Sequence, residues 1–489
     1  MYPWLPVLLL RQNCVKCLKV KIMDLHSLEQ TVARDLKKIA HPHNAWVLPR
    51  TTPDDHQVLN VLVVGAGQSG IAAAFGLQRA RIDKVLVIDQ APYGQEGPWA
   101  TYARMHTLRN PKDYTGPDLD VPSLTCQSWY EARFGAQAWT DLEMLPRALW
   151  GEYLLWVRKM SGVTVENETT LLSLVPDGDL IVATLMHDGV SRVVYARKIV
   201  LATGQESLGR WGIPKLIEAL PATMRARAAD QIDFAVLKGK SVTVIGAGAS
   251  AFDNAATALE AGASDVRLLC RRLEPQVVQP YRWLTFRGFL RHFSDLSDAW
   301  RWRFMDRIFS LREGFTQATY ERCMMHPQFE VITGAVLTGA GSEGGRVRLE
   351  TGAGLIETDF VIAATGIDID MARRPELSAA VSNIATWADC YTPPEDERND
   401  RLGAFPYLRE DYSFTELTPG LTPWINNVHL FSIASSMSFG PSGSSINAMT
   451  TAIPKLVAGI GRTLFCEDIE EYWESLKAYD VPQAVLRSR

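Results

Sequence analysis

The chain has 489 residues, too many for one small domain and enough for two or three. Hydrophobic residues make up 47% and charged residues 21%, a globular composition that excludes a disordered or fibrous chain. The net charge of -5 argues against a dedicated nucleic-acid binder, which would carry a basic excess.

Cys14 and Cys17 form a lone CxxC, and the other five cysteines are scattered. A four-ligand zinc site needs a second pair nearby, so these read as incidental thiols and no metal site is expected. The apolar stretch from Trp4 to Leu10 is too short to span a bilayer. It lacks the basic lead and small-residue cleavage site of a signal peptide. Met23 offers a second start, which leaves open whether residues 1–22 belong to the native protein. A soluble, cytoplasmic protein with no membrane association is the expectation, and its oligomeric state is left open. From Asp24 to Ile39 the apolar residues recur at helical spacing, predicting one surface helix.

Gln57 to Val64 is an apolar strand that runs into Gly65-Ala-Gly67-Gln-Ser-Gly70, and Ile71 to Ala80 then reads as a helix. Lys84 to Ile88 is the next strand, and it ends in Asp89. This is the strand, turn, helix, strand and acid of a dinucleotide-binding unit. Gly65 allows the tight turn, Gly67 lets backbone approach a pyrophosphate, and Gly70 allows close helix–strand contact. The helix N-terminus offers N–H donors to phosphate. Asp89 suits a ribose and disfavours a 2'-phosphate, so FAD or NAD is expected here.

The pattern recurs at Lys238 to Ile245, followed by Gly246, Gly248 and Ala251, a helix from Asn254 to Glu260, and a strand from Val266 to Leu269. Where the first unit has its acid, this one has Arg271 and Arg272. Asp89 follows Gly65 by 24 positions, and Arg271 follows Gly246 by 25. Two guanidinium forks there suit an extra phosphate and favour NADPH, with NADH as a second donor. Two units of this kind rarely share one cofactor, so the economical reading is bound FAD in the first and transient NADPH in the second.

Two Ala-Thr-Gly crossings, at 202–204 and 364–366, mark the chain leaving and re-entering a domain. Between Val163 and Tyr195 the alternation predicts a small antiparallel meander. The predicted organisation is a one-helix extension over 1–55, an FAD-binding part over 56–236, an NADP-binding domain over 237–372 and a closing part over 373–489. The fold class is thus α/β with two Rossmann-like dinucleotide-binding domains. The FAD domain is discontinuous, and the NADP domain carries a helical insertion at 275–330. That insertion interleaves rings and arginines between Tyr281 and Phe309. Trp300, Phe304, Ile308 and Leu311 at helical spacing predict packing. The rest reads either as solvated arginines on a packed helical pair or as a cavity wall for a planar, anionic small molecule.

Near the C-terminus an apolar strand, Val428 to Ala434, precedes a turn whose Gly440, Ser442 and Gly443 are candidate cofactor-binding residues. A helix from Ile446, capped by Ser444 or Ser445, would aim donors at a flavin edge. Asn447 lies in its first turn and is a candidate catalytic residue. His106 is the other, as a base near the flavin, although a packed imidazole explains it as well. Trp99 and Arg104 are further candidates for the cofactor, and Arg109 for its phosphates or the substrate.

These motifs together resemble the class B flavin-containing monooxygenases and their relatives, the lysine and ornithine N-hydroxylases. The resemblance spans roughly Val58 to Leu464 and rests on GAGQSG, GAGASA, the two Ala-Thr-Gly crossings and the closing GPSG. Gly97-Pro98-Trp99 is similar to the Gly-Trp element over the flavin in that family. Arg104 to Leu124 and Gly246 to Ala263 look closer still to a bacterial branch of FAD-dependent urate hydroxylases. The resemblance implies an oxidoreductase that takes hydride from NADPH onto FAD. Molecular oxygen is its co-substrate, and one oxygen atom reaches the substrate through a flavin C4a-hydroperoxide. Urate 5-hydroxylation in purine breakdown is the substrate reading. An N-hydroxylase of an amine or amino acid is the alternative, and a flavin-binding protein without coupled turnover is another. The family histidine between the two nucleotide units is missing from Met224 to Phe234, which makes a Baeyer–Villiger enzyme less expected. A disulfide reductase would need a flavin-facing cysteine motif, and none is legible.

Overall fold

The computed structural model describes residues 24–39, 44–311, 313–443 and 445–485. The Cys14–Cys17 pair, the Trp4–Leu10 stretch and Ser444 lie outside the described residues. The surface helix is present as Leu25–Ile39, with Leu28 and Val32 buried.

The first sheet is built on β1 (Val58–Val64), β2 (Val85–Ile88), β3 (Thr169–Asp177), β4 (Leu180–His187) and β5 (Val190–Leu201). β2, β1 and β5 are parallel neighbours, while β3 and β4 extend the amino-terminal half of β5 as the expected antiparallel meander. Val61, Leu62 and Val63 are fully buried, as a parallel strand covered on both faces requires.

The chain leaves along β6 (Gly209–Trp211). A second, wholly parallel sheet follows from β7 (Arg225–Arg227), β8 (Ser241–Ile245), β9 (Asp265–Cys270) and β10 (Phe329–Thr333). Then come the antiparallel strands β11 (Leu337–Glu343), β12 (Arg346–Thr351) and β13 (Gly354–Thr358). β14 (Phe360–Ala363) returns to the second sheet between β8 and β7. The second sheet therefore begins at Arg225, before the expected boundary at 237. β15 (Ile367–Ile369) pairs with β6, so the two crossings between domains form one two-stranded ribbon.

β16 (Val428–Leu430) pairs with the carboxyl half of β5 and closes the first domain from the far end of the chain. It is shorter than expected, because Ile433–Ser435 turns instead of continuing as strand. Buried Arg197 bonds to Asp468 and Glu467, and buried Lys198 bonds to Glu467, tying β5 to the end of the long helix Met449–Glu467.

The insertion divides between two cores. Helix Asp298–Leu311 buries Trp302, Met305 and Ile308 in the first domain's core with Trp387, Phe405 and Phe439. Trp300, expected to pack, faces outward. Helix Gln317–Met324 instead packs on the second domain, where Phe315 meets Phe252 at 3.9 Å. Among the described residues no helix is long and apolar enough to cross a bilayer.

Candidate functional site

Both glycine-rich turns sit at the carboxyl ends of their parallel sheets and open into one cleft of about 1430 Å³. A pocket for one small ligand is typically about 300–1,000 Å³, so this cleft is large enough for more than one.

At the first turn Gly65 has φ +99°. A Cβ there would lie 2.4 Å from the Ala202 carbonyl oxygen, and one on Gly70 would lie 1.8 Å from the Gly65 oxygen. The turn therefore needs both glycines to pack against the first Ala-Thr-Gly crossing. Gly67 faces the slot instead, where a Cβ would lie 3.8 Å from the Gly97 Cα. Asp89 accepts the Ala66 N–H at 2.7 Å and the Ala91 N–H at 2.8 Å. Burial raises its pKa, partly offset by those two donors.

At the second turn Gly246 has φ +127°, and a Cβ would lie 2.3 Å from the Ala364 carbonyl oxygen of the second crossing. Gly248 is looser, since a Cβ there would lie 3.6 Å from its nearest neighbour, the Glu313 carbonyl oxygen. That same carbonyl accepts the Ala249 N–H at 3.3 Å. Ala251 is fully buried and packs the helix Ala249–Glu260. Arg271 and Arg272 line the cleft beyond β9, and Arg272 Nη2 donates to the Ser310 carbonyl at 2.6 Å.

The sequence reading missed Arg401. It lines the same cleft from the closing part of the chain and donates to the Ile367 carbonyl at 2.6 Å. Its pKa is lowered by burial first and then by Arg271. Two cations held close enough to repel each other make a ready place for a phosphate. No sequence signal could find it, because Arg401 lies 130 positions from Arg271.

Other candidates move from their expected places. His106 is 64% exposed, 3.7 Å from Glu260, and does not line the cleft, so it is not beside a flavin position. Arg104 lines the cleft, but its guanidinium donates to the Ala228 and Asp230 carbonyls and clamps the two domains together. Burial lowers its pKa to about 10. Ser442, Gly440 and Gly443 lie behind the cleft wall. Ser442 is buried against Ser435 at 3.5 Å. Gly443 accepts from the Ser69 hydroxyl at 2.8 Å, which locks the closing turn onto the first glycine-rich turn. Pro441, Ser445, Ile446 and Asn447 are the residues of this motif that reach the cleft. The Ser445 hydroxyl donates to the Asn447 side chain rather than capping the helix.

Trp99 lines the cleft with its ring edge-on to Trp150 at 6.3 Å. The inserted segment adds Tyr281, Leu284, Phe309 and Leu311 to the wall, while its arginines face elsewhere. Arg109 supplies a cation instead, bonded to Asp253 at 2.5 Å and Glu313 at 2.9 Å. Burial opposes its charge, but those carboxylates hold its pKa above the ordinary value. Cys270 also lines the cleft, at the second turn rather than the first.

The site fits dinucleotides on its own geometry. Trp99 Nε1, Thr203 Oγ1, Asn254 Oδ1 and Gln276 Nε2 are buried atoms of cleft-lining residues with no protein partner. Buried polar atoms without partners are costly, so such a cleft is built for a polar ligand.

Comparison with known proteins agrees. A family described as FAD-NAD(P)-binding matches residues 62–206. The FAD-dependent urate hydroxylase of Xanthomonas campestris is 39% identical over 464 residues, covering 95% of this chain and 98% of that protein. The fold is similar to L-lysine 6-monooxygenase from Pseudomonas syringae, with a TM-score of 0.63 and 18% identity over 83% of this chain and 99% of that one. It is also similar to an FAD-bound cadaverine monooxygenase from Erwinia amylovora, with a TM-score of 0.62 and 14% identity over 88% of this chain and 98% of that one. The chain belongs to the class B flavin monooxygenase superfamily, in the family of the FAD-dependent urate hydroxylase, and is an FAD- and NADPH-dependent monooxygenase.

Proposed function

We propose that this monooxygenase hydroxylates urate at C5. The observation that carries the reading is the near-full-length likeness to a urate hydroxylase. The cleft wall supports it. Tyr281, Phe309, Phe405 and Leu108 offer flat apolar surface, and Asn110 and Asn447 offer amide donors and acceptors suited to a planar, polar heterocycle.

FAD, when bound, supplies the redox chemistry and the activation of oxygen. Residues around Gly65 and Gly67 would hold its phosphates, Asp89 its ribose, and the Trp99 and Asn447 walls its ring. The chain's own part is binding, orientation and exclusion of water. Burial raises the Tyr281 hydroxyl well above its ordinary pKa, and burial pushes Tyr102 up to about 12. Both stay protonated donors at neutral pH. Arg109 keeps a fixed positive charge at the cleft wall, shared with Asp253 and Glu313, and is a cation of the cleft that a urate anion could meet. At the second turn, Arg271, Arg272 and Arg401 would hold the phosphates of NADPH.

A second reading, N-hydroxylation of an amine, rests on Glu313. Its half-exposed carboxylate lines the cleft and would pair with an ammonium group.

One experiment separates them. The FAD-loaded enzyme is reduced anaerobically with NADPH and oxygen is readmitted, with urate, lysine, ornithine or cadaverine present. Loss of urate absorbance with equal NADPH consumption and no peroxide is the expected result. Peroxide formation unchanged by urate would discard the urate reading, and hydroxylamine formation from an amine would establish the second.

A further inference from the structure

The inserted segment holds more rings and arginines than the cleft and the core use. Trp283, Phe286 and Trp300 remain 59%, 51% and 52% exposed. They form one surface. Trp283 meets Phe286 edge-on at 5.4 Å and stacks on Phe304 at 6.0 Å, and Phe304 meets Trp300 at 6.1 Å. Arg282, Arg287, Arg291 and Arg307 are exposed on the same segment. None of the four has an ion-pair partner among the described residues. A contiguous exposed apolar patch rimmed by charge marks an interaction site. Tryptophan and arginine are also the side chains that dominate binding energy at interfaces.

A second such surface lies at the other end of the chain. Helix Ile469–Lys477 has no buried residue. Ile469, Trp473 and Leu476 fall on one face at i, i+4 and i+7, and are 48%, 57% and 64% exposed. Tyr472 borders one edge of this stripe. Its hydroxyl donates to the Trp46 carbonyl at 2.5 Å and its ring stacks on Phe465 at 5.0 Å, which fixes the helix to the body. Lys477 and Glu470 border the other edge, with Glu474 and Glu471 further round. Lys477 lies 5.8 Å from the Trp473 ring and pairs with Glu474 at 2.7 Å, so the three exposed glutamates leave this end of the helix acidic.

We propose that these are the two halves of one interface between copies of this chain: the acidic helix Ile469–Lys477 of one copy docks on the arginine–aromatic patch of another. The two surfaces have opposite charge, each presents uncovered rings or aliphatic side chains, and each is fixed to a folded core. Because the halves differ, a contact made once per pair is head-to-tail and closes as a ring, whereas a contact made reciprocally, each copy giving its helix and receiving its neighbour's, closes as a two-fold dimer. Docking also braces the cleft, since Trp283 is flanked by Tyr281 and Leu284 of the cleft wall.

Sedimentation velocity on the full-length, FAD-loaded protein tests this over a hundredfold concentration range at low and high salt. Self-association that weakens with salt is expected. Glu470→Arg with Glu474→Arg, or Arg287→Glu with Arg291→Glu, should each raise the dissociation constant about tenfold or more. Combining the two pairs should restore association, and Trp473→Ala should cost at least as much as either. Unfolding midpoints should stay unchanged, because every replaced side chain is exposed. A monomer at all concentrations overturns the proposal. So does an oligomer indifferent to both reversals, or a combined variant that fails to recover. Binding of anionic vesicles or oligonucleotides lost with the arginine reversals, while the glutamate reversals change nothing, would give the patch to another partner and overturn it as well.

Discussion

At the first turn Gly65 packs beneath the Ala202 carbonyl, Ser69 is tied to Gly443, and Asp89 is buried against two backbone N–H groups. At the second turn Gly246 packs beneath the Ala364 carbonyl in the same way, but the position matching Asp89 is Arg271, an exposed cation near Arg401. The second turn is covered by the Glu313 segment, which Arg109 holds from the other domain. The turns share the backbone geometry that brings a helix N-terminus to a pyrophosphate. They differ in what surrounds them. The first is tied to the crossing at Ala202 and to the closing turn at Gly443, and its acid is buried, an enclosure that suits a resident cofactor. The second is bounded by long arginine and glutamate side chains, which suits the exchanging cofactor proposed for it.

The largest test of that contrast is steric. Gly70→Ala would put a methyl group 1.8 Å from the Gly65 carbonyl oxygen, with no flexible side chain able to yield. The expected product is a colourless protein with little FAD or no soluble protein at all, read from the flavin absorbance. Gly248→Ala meets nothing nearer than 3.6 Å, so it should keep its flavin and lose NADPH affinity only. Equal flavin loss in both variants would break the contrast.

A pH test addresses the lock on the first domain. His429 on β16 is fully buried beside the meeting of β5 and the closing segment, with Nδ1 at 2.8 Å from the Asp411 carbonyl. Burial lowers its pKa from 6.5 to about 4, against the pull of Asp411, and Lys198 and Arg409 lower it further. The unfolded chain therefore takes up a proton below about pH 6.5 that the folded chain resists until about pH 4. Stability from neutral His429 is present above pH 6.5 and is lost as pH falls through that window, by about 3 kcal/mol. Thermal unfolding followed by flavin release should show the loss, and His429→Leu should flatten it. An unchanged pH slope in that variant would remove His429 from the account.

Much of this architecture was legible because dinucleotide units concentrate their constraints in short stretches. Strand, glycine turn, helix and second strand lie within about thirty residues, so Gly65, Gly70, Gly246 and the two crossings could be read directly. The meander was legible from its alternation. What escaped depends on pairs far apart in sequence. Arg401 reaches Arg271 only through the fold, and Arg109 reaches Asp253 and Glu313 across the domain boundary. His106 misled because proximity in sequence to Trp99 does not fix side-chain direction, and its ring points to Glu260 at the surface. The glycine and serine of the closing turn were read as ligands, yet their small size serves packing, since a Cβ on Gly443 would lie 2.3 Å from the Ser432 nitrogen.

The arginines of the second turn sharpen the contrast at smaller scale. Charge-assisted hydrogen bonds to a phosphate contribute about 1.5–3 kcal/mol each, so losing one raises the NADPH KM about ten- to a hundredfold, and Arg271→Ala with Arg272→Ala should raise it about a hundredfold or more. The NADH KM should change far less. Arg401→Ala separates two phosphates: selective loss of NADPH assigns it to the 2'-phosphate, and equal loss of NADPH and NADH assigns it to the pyrophosphate. No change with either nucleotide would remove Arg401 from the second site.

The smallest expected effect concerns the cover of the second turn. The Glu313 carboxylate is 42% exposed, and its backbone carbonyl already engages the Ala249 N–H. A pyrophosphate brought to this turn would approach a carboxylate that Arg109 neutralises only in part. Glu313→Gln removes that charge and leaves the backbone contact in place. At this exposure the repulsion is worth about 0.2–1 kcal/mol, so the NADPH KM should fall by up to about fivefold, with a weaker response at high salt. The same change frees one side of Arg109, whose remaining partner, Asp253, is buried and keeps it in place. A KM that rises instead would mean that Glu313 holds Arg109 in a position NADPH needs, and the second turn would then be as firmly built as the first.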